Sequence, residues 1–395
     1  MVCMLICFHH SVAYSGFFNR TSKDVSQPLD KLLKKSESFI PAQPDSVIYY
    51  AEMAIKKSSA ALVKARVYYL QGEGYYYNND YENAIISYTS SLDFYEKLRD
   101  KENVAECNHC LGLCYFFIGD YERSLGFHQE ALRLADELDD DIRKANSLQN
   151  IGLVYNDLQH YQQALEYYYQ SMELNRETGR EGKVAALLQN IGVVHYMREE
   201  YNNALQYYRR SFKIYENLGS QRGIANSYSN IGQVHEMRNN SDSAKHYYNQ
   251  SMKLFKDMNY LRGVVYTLNM LGNLAVKENN VEKAFDYYNQ SIELSEKHHY
   301  NENLITNYKS VSSLYEENEN YQRALNFYKR YVDLRDSIFN RENMKNIMRM
   351  ELKFQDEQFR EELKQTNLRQ SLMLAGFIIL FVAAGIVFFV FAFRK

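Results

Sequence analysis

Three cysteines lie close together in one segment: Cys107, Cys110 and Cys114, with His109 between them. Thiolates and an imidazole are ligands of structural zinc, and a Cys-x-x-Cys pair also suits thiol redox chemistry. In a helix, positions i, i+3 and i+7 lie on one face, so the three thiols would form a single stripe. A tetrahedral metal site needs a further ligand pair, and none occurs nearby in the sequence. The spacing therefore favours small buried residues in a packed helix over a metal or redox site.

No other set of residues has the spacing of a catalytic site. The sequence contains no glycine-rich phosphate loop, no nucleophile elbow and no zinc-protease helix. The net charge of −3 gives no basic field for nucleic acid. We therefore expect a protein that is not an enzyme, holds no metal or cofactor, and does not bind nucleic acid.

The residues that could do chemistry belong to a register that repeats every 40 residues. Glycine recurs at one position, alanine or serine twelve residues later, and tyrosine or histidine sixteen residues later. The first of these positions, here called the rung, holds Gly72, Gly112, Gly152, Gly192, Gly232, Gly272 and Ser312. A fixed period without insertions identifies a repeat array, in which each unit packs against its neighbours.

Each 40-residue unit predicts a pair of helices. Within 141–180, apolar residues recur at helical spacing over 142–158 and again over 161–174. Gly179 suits the left-handed position that follows the end of a helix. No proline occurs after Pro44, so none interrupts a later helix. The chain is therefore predicted to be all-α.

The small residues of each unit are expected where its two helices cross. A side chain larger than Gly152 or Ala164 would hold the helices apart, at a cost of about 1–3 kcal/mol. Tyr168, sixteen residues after the rung, is expected to reach into the following unit. His195 and His235 occupy a tyrosine position of the unit, so each is interpreted as a packing residue.

The pattern Leu/Ile-Gly-x-x-Tyr followed by Ala-x-x-x-Tyr resembles the tetratricopeptide repeat (TPR). It stands here as Ile151-Gly152-Leu153-Val154-Tyr155 with Ala164 and Tyr168, and the resemblance covers residues 59–336. The unit is longer than the usual TPR of about 34 residues and lacks its closing proline, as in long-helix variants. The resemblance implies a TPR superhelical solenoid of about seven to eight helix-turn-helix repeats, with seven units at 59–336 after a degenerate capping repeat at 27–58.

In TPR arrays the first helices line a concave groove, and side chains near the rung face it. The resemblance implies a groove formed by Gln149, Asn150, Leu153, Asn156, Gln189, Asn190, Tyr196, Ser229, Asn230, Gln233, Asn269 and Asn273. An Asn or Gln amide both donates and accepts, so it can pair with the backbone of an extended peptide of any sequence. Asn150, Asn190 and Asn230 recur in register, which predicts a protein or peptide ligand; a solvated polar face is the alternative. The clustered lysines and asparagines of a carboxylate clamp are missing.

The two ends of the chain differ from the array. Residues 372–393 carry no charge, and as a helix they would reach about 33 Å, enough to cross a membrane core of about 30 Å. They are predicted to be a transmembrane helix, followed by a short tail at 394–395. Residues 1–16 resemble a signal peptide that lacks the positively charged start, and a cap segment is the alternative. Residues 337–371 predict a charged linker helix whose imperfect heptads suit a coiled coil and a homodimer.

This order of segments resembles the sensor half of Bacteroidetes-type membrane TPR signalling proteins. The resemblance implies a membrane-anchored sensor or scaffold, single-pass in the bacterial inner membrane, with its TPR array in the periplasm. A remnant of a TPR histidine kinase or transcriptional regulator without its output domain is one alternative. A tail-anchored adaptor with the array in the cytoplasm is another.

Overall fold

The structure, a computed structural model, describes residues 27–40, 43–298 and 300–336. They fall into two compact parts, an N-terminal part that ends at Asn280 and a C-terminal part that begins at Val281, which are described separately. Every regular element among the described residues is an α-helix, which confirms the all-α prediction.

Four predicted segments lie outside the described residues: the leader at 1–16, the linker helix at 337–371, the membrane span at 372–393 and the tail at 394–395. Of the helices that the structure describes, none combines the length and apolarity needed to cross a bilayer.

The N-terminal part is a succession of antiparallel helices joined by short turns. In chain order they are α1 (Gln27–Glu37), α2 (Pro44–Ile55), α3 (Ala61–Tyr77), α4 (Tyr81–Lys97), α5 (Lys101–Phe117), α6 (Tyr121–Glu137), α7 (Asp141–Asp157), α8 (Tyr161–Glu177), α9 (Glu181–Met197), α10 (Tyr201–Asn217), α11 (Gln221–Met237), α12 (Ser241–Asp257) and α13 (Leu261–Lys277). The C-terminal part contains α14 (Val281–His298), α15 (Asn301–Glu317) and a helix α16 at 321–336.

Helices α3 to α13 share one length and one kind of ending. Each has 17 residues, and a residue with positive φ follows one position after its C-cap. Gly179 and Gly219 hold this place with φ of 67° and 65°, as predicted for Gly179. Elsewhere the place is taken by other residue types, such as Gln159 at 62° and Glu199 at 59°. The left-handed residue ends the helix and turns the chain, so the next helix starts two residues after it.

Several helices of the N-terminal part begin with an acidic N-cap. The side chains of Asp80, Asp100, Asp120 and Asp140 each accept a hydrogen bond from the backbone N–H three residues later. These carboxylates satisfy one of the free N–H groups at the helix start and lie at its positive end. Turn and cap together fix where these four helices begin.

In five helix pairs, from α3–α4 to α11–α12, the rung glycine lies beneath an aromatic ring of its partner helix. A Cβ on Gly152 would stand 2.7 Å from Tyr168 Cδ1, and one on Gly192 would stand 2.5 Å from Tyr208 Cε1. Tyr168 therefore packs within its own pair, in addition to the cluster that it forms with Leu187 and other residues of the next unit. The sequence predicted the forward contact and did not include the contact within the pair, where the absent side chain of Gly152 leaves space for the ring.

A buried serine joins the two helices of several pairs. Ser171 Oγ donates to Ala145 O at 2.7 Å, and Ser211 Oγ donates to Ala185 O at 2.8 Å. Both serines have no exposed surface. An unpaired buried hydroxyl would cost free energy, so the bond restricts how far one helix can slide along the other.

In the C-terminal part, side-chain contacts join α14 to α15. Phe285 and Tyr315 have ring centroids 4.3 Å apart, and Asn307 Nδ2 donates to Ser291 Oγ at 2.8 Å. At the last rung, the hydroxyl of Ser312 donates to Ala324 O at 2.9 Å. Serine therefore fits the rung by bonding to the backbone of α16.

Candidate functional site

The three clustered cysteines lie on α5 and are fully buried thiols. Cys107 Sγ donates to Ser91 Oγ at 3.5 Å, and Cys110 Sγ lies 3.9 Å from Glu73 Oε1. Burial raises the pKa of all three thiols, so each stays protonated and is a poor nucleophile. No group of three or more His, Cys, Asp or Glu side chains in the described part of the chain is arranged to hold a metal.

A second surface is formed by the first helices of successive pairs. Helix α5 contacts α7, α9 contacts α11, and α11 contacts α13, so side chains from neighbouring units meet on this side. We call the exposed faces of α7, α9 and α11 the first-helix surface. The residues predicted to line a groove are placed on or just beneath it.

Some predicted residues connect one first helix to the next. Asn150 Nδ2 lies 3.4 Å from Nδ1 of His109 on α5, and Gln189 Nε2 donates to Ser227 Oγ on α11 at 3.0 Å. The amide of Gln233 donates to the hydroxyl of Tyr266 on α13. These amides are used in holding the units in register.

Other predicted residues lie below the surface. Leu153 is buried, and the fully buried Ser229 hydroxyl is 2.7 Å from Ser251 Oγ on α12. Asn156 and Asn269 are also buried, at 7% and 5% exposure. A ligand on the surface could therefore not reach Leu153 or Ser229, and it could reach only the small exposed part of Asn156 and Asn269.

Tyr196 and Asn273 are half-buried. Burial, together with Glu236 and Tyr201, raises the pKa of Tyr196 to about 12, so its hydroxyl stays protonated near neutral pH. Its ring meets that of Tyr201 edge to face at 5.8 Å. Tyr196 can present a rigid ring and a hydroxyl donor at the C-terminal end of α9.

Three predicted amides are not used by the fold. The side chains of Gln149, Asn190 and Asn230 make no hydrogen bond to any residue that the structure describes. Gln149 and Asn190 are half-buried, and Asn230 is 7% exposed. A half-buried amide without a partner has lost part of its hydration without a compensating bond, so it favours an external partner.

Sequence reasoning missed two cations at the start of α9. Lys183 is half-buried and lies seven residues before Asn190, which places both side chains on one face about 10 Å apart along the helix. Burial and the nearby Arg180 lower the pKa of Lys183 to about 8. Burial also lowers the pKa of Arg180, against the opposing effect of Asp140, and Arg180 Nη1 is buried without a hydrogen bond.

In the preceding repeat, the positive charge at the position of Lys183 is neutralised by carboxylates of the protein itself. Arg143 has the place on α7 that Lys183 has on α9, and its Nε lies 3.8 Å from Glu106 Oε2. Arg143 also pairs with Asp140. Lys183 has no such ion pair among the described residues. The spacing of seven residues to Asn190 was the sequence signal that could have identified it.

Paired helices in a 40-residue register, with a small rung residue beneath an aromatic ring, define an α-helical repeat protein. The chain belongs to the tetratricopeptide repeat family, whose sequence model matches residues 103–177, 183–257 and 264–337. No curated protein matches the chain in sequence.

Solved structures share the fold at low sequence identity. The apo form of the quorum sensor NprR from B. thuringiensis has a TM-score of 0.60 at 16% identity, over 77% of this chain and 86% of that one. A Rap protein complexed with Competence and Sporulation Factor has a TM-score of 0.59 at 16% identity, over 80% and 88%. The Rap conjugation gene regulator of plasmid pLS20, in complex with the Phr* peptide, has a TM-score of 0.56 at 15% identity, over 79% and 96%.

Proposed function

We propose that the first-helix surface binds an extended peptide segment of a partner protein and catalyses no reaction on it. The observation that carries the proposal is the set of three unpaired amides, Gln149, Asn190 and Asn230, on successive first helices. Each amide can accept from a peptide N–H and donate to a peptide C=O. Such contacts recognise backbone, so they tolerate varied side chains in the ligand.

The spacing of the helices fits an extended chain. Contacting helices have axes about 8–10 Å apart, which an extended peptide spans in about three residues. Asn190 on α9 and Asn230 on α11 would then engage backbone groups about three residues apart. A peptide lying across α7, α9 and α11 would meet one free amide on each helix.

The charged pair at the start of α9 favours an acidic residue in the ligand. Lys183 and Arg180 place positive charge on the same surface, and Lys183 has no internal acid. A carboxylate near Lys183 would offset the cost of burying the ammonium and form a charge-assisted hydrogen bond. The Rap protein complexed with Competence and Sporulation Factor and the Rap regulator in complex with the Phr* peptide support a peptide ligand for this fold.

A selection experiment tests the proposal. Peptides are selected from a random displayed library on the full chain in non-ionic detergent, and their affinities are measured by fluorescence polarisation. Changing Gln149, Asn190 and Asn230 together to Ala is expected to weaken binding at least about 10-fold, since each lost hydrogen bond is worth about 0.5–1.5 kcal/mol.

The matched control changes three exposed amides on second helices, Gln170, Asn249 and Gln250, to Ala. It is expected to bind selected peptides like the unchanged protein. Equal affinities in both triple variants, with helicity retained, would contradict the assignment of the first-helix surface.

We further propose that the apolar segment 372–393 anchors the array as a sensor or scaffold in signalling, with the array in the periplasm. The sequence of that segment and the leader-like 1–16 support the topology. Alkaline phosphatase fused after residue 330 is expected to be active. An inactive fusion would instead favour the adaptor with a cytoplasmic array.

A further inference from the structure

A cavity of about 490 Å³ opens between α10 and α11, and its walls are basic. Arg209, Arg210 and Lys213 contribute from α10, and His235 and the adjoining Arg238 contribute from the end of α11. No carboxylate lines the cavity. A volume of this size is typical of small-ligand sites.

Two of the cations have no internal counter-charge. Arg209 and Arg238 form no ion pair with any described residue. Lys213 is paired with the exposed Glu216 at 2.8 Å, and Arg210 lies 5.6 Å from the ring centre of Tyr207. Like charges held together without a counter-ion repel one another, so an anion entering the cavity relieves that repulsion.

The preceding unit shows what this arrangement binds. His195 and Arg198 have the places there that His235 and Arg238 have in the next unit, forty residues later. Both bind one carboxylate: Glu200 Oε2 lies 2.5 Å from His195 Nδ1, and Glu200 Oε1 lies 2.9 Å from Arg198 Nη2. The hydrogen bond from His195 is the main cause of the lowered pKa of Glu200.

The matching acid is absent beside the cavity. The residue forty positions after Glu200 is Asn240, whose side chain caps α12 by accepting from the N–H of Ser243. His235 and Arg238 therefore occupy the positions of a carboxylate site in the repeat, and the residue that would supply the carboxylate there is Asn240. The His235 ring is held in place by stacking on Tyr247, with centroids 5.4 Å apart and planes 13° apart.

We propose that this cavity binds an external ligand with at least two carboxylates. One carboxylate takes the place that Glu200 has in the preceding unit, between His235 and Arg238. A second is held by Arg209 and its neighbours on α10, since guanidinium groups bind carboxylates in paired hydrogen bonds.

The site is separate from the first-helix surface. His235 follows Asn230 by five residues, which places it about 140° around α11. Loss of binding in the cavity and loss of peptide binding can therefore be measured independently.

The resonance of the His235 imidazole can report whether the cavity holds an anion. Burial and the charges of Arg238 and Arg209 lower its pKa, so a bound anion between these groups is expected to raise it. The full chain in non-ionic detergent, with labelled histidine, is titrated at constant ionic strength with citrate, with N-acetyl-tetraglutamate and with inorganic phosphate. The His235 resonance is assigned from its loss in His235→Gln.

A saturable shift of this resonance is expected with a carboxylate probe, and its affinity should fall at least tenfold in Arg238→Gln. Tighter binding of tetraglutamate would identify an acidic peptide segment as the source, and tighter binding of citrate a small polycarboxylate. Asn240→Glu supplies the internal acid and is expected to abolish the shift. The reverse change, Glu200→Asn, is expected to make His195 respond to the same probe.

Three results would overturn the proposal. They are no shift with either carboxylate, unchanged affinity in Arg238→Gln, and phosphate binding as tightly as the better carboxylate. If Asn240→Glu loses helicity because its cap is gone, Arg238→Gln and Glu200→Asn still decide the matter.

Discussion

The ring of Tyr168 lies so close to Gly152 that a Cβ on the glycine would stand 2.7 Å from Tyr168 Cδ1. Tyr168 is 1% exposed, so the packed surroundings leave the ring no free space to enter. Gly152→Leu is therefore expected to lower the free energy of unfolding by about 1–3 kcal/mol. Urea unfolding followed by circular dichroism measures the change.

A glycine without such a neighbour provides the control for Gly152. Gly126 lies within α6, and nothing stands within 4 Å of the Cβ that it lacks. Gly126→Ala is expected to stabilise the helix by about 0.5–1 kcal/mol. A loss of stability in both variants would mean that helix context, and not the ring, decides the outcome.

The left-handed residues between helices predict a gain from glycine. Gln159 and Glu199 hold φ of 62° and 59°, where an L side chain costs about 1–2 kcal/mol. Gln159→Gly and Glu199→Gly should each raise the midpoint of thermal unfolding. Gly179→Ala, at φ 67° with open space around it, should lower that midpoint. A fall in midpoint for the first two variants would show that their side chains make stabilising contacts.

Lys183 predicts a stability difference that depends on pH. Its pKa is about 8 in the fold and 10.5 ordinarily. Below pH 8 the amine is charged in both states, so the folded protein bears the full cost of burial. Between pH 8 and 10.5 the folded state releases its proton first, and stability rises with pH. Lys183→Met should therefore be more stable than the unchanged protein at pH 7, with the difference lost near pH 10.5. The exposed Lys253→Met controls for the loss of a charge, and a difference that does not change with pH would contradict the assignment.

The buried thiols on α5 predict slow alkylation. Because burial raises the pKa of Cys107, Cys110 and Cys114, few thiolates are present in the folded chain. Iodoacetamide followed by peptide mass spectrometry should label the three residues only after denaturant is added. Rapid labelling of the native protein, or zinc that copurifies and is lost when the three are changed to Ala, would support the metal or redox alternative.

The sequence could predict the helix pairs because their causes are local. Glycine at the rung and apolar residues at helical spacing identify each pair, and the matched family confirms the repeat. The turns were harder to predict. Arg99, Gln159 and Glu199 adopt positive φ although their types give no sign of it, because the packing of the flanking helices imposes the conformation.

The candidate site was predictable only in part, for a similar reason. Sequence register placed Gln189, Ser229 and Asn230 near one surface, but the register does not show which of them finds a hydrogen-bond partner on a neighbouring helix. Ser229 turned inward to Ser251, whereas Asn230 kept an unused amide. The proposed roles of the free amides and of the basic cavity are still predictions.

The difference between Glu200 and Asn240 has a consequence for how repeat proteins acquire ligands. In a repeat array, two repeats can share some members of a contact and differ in another, as the His–Arg pair recurs at His235 and Arg238 while Glu200 does not. The two shared residues then lack an internal acid in the second repeat. A new specificity can thus arise by subtraction, and the unchanged neighbour preserves the geometry that the incoming ligand must imitate.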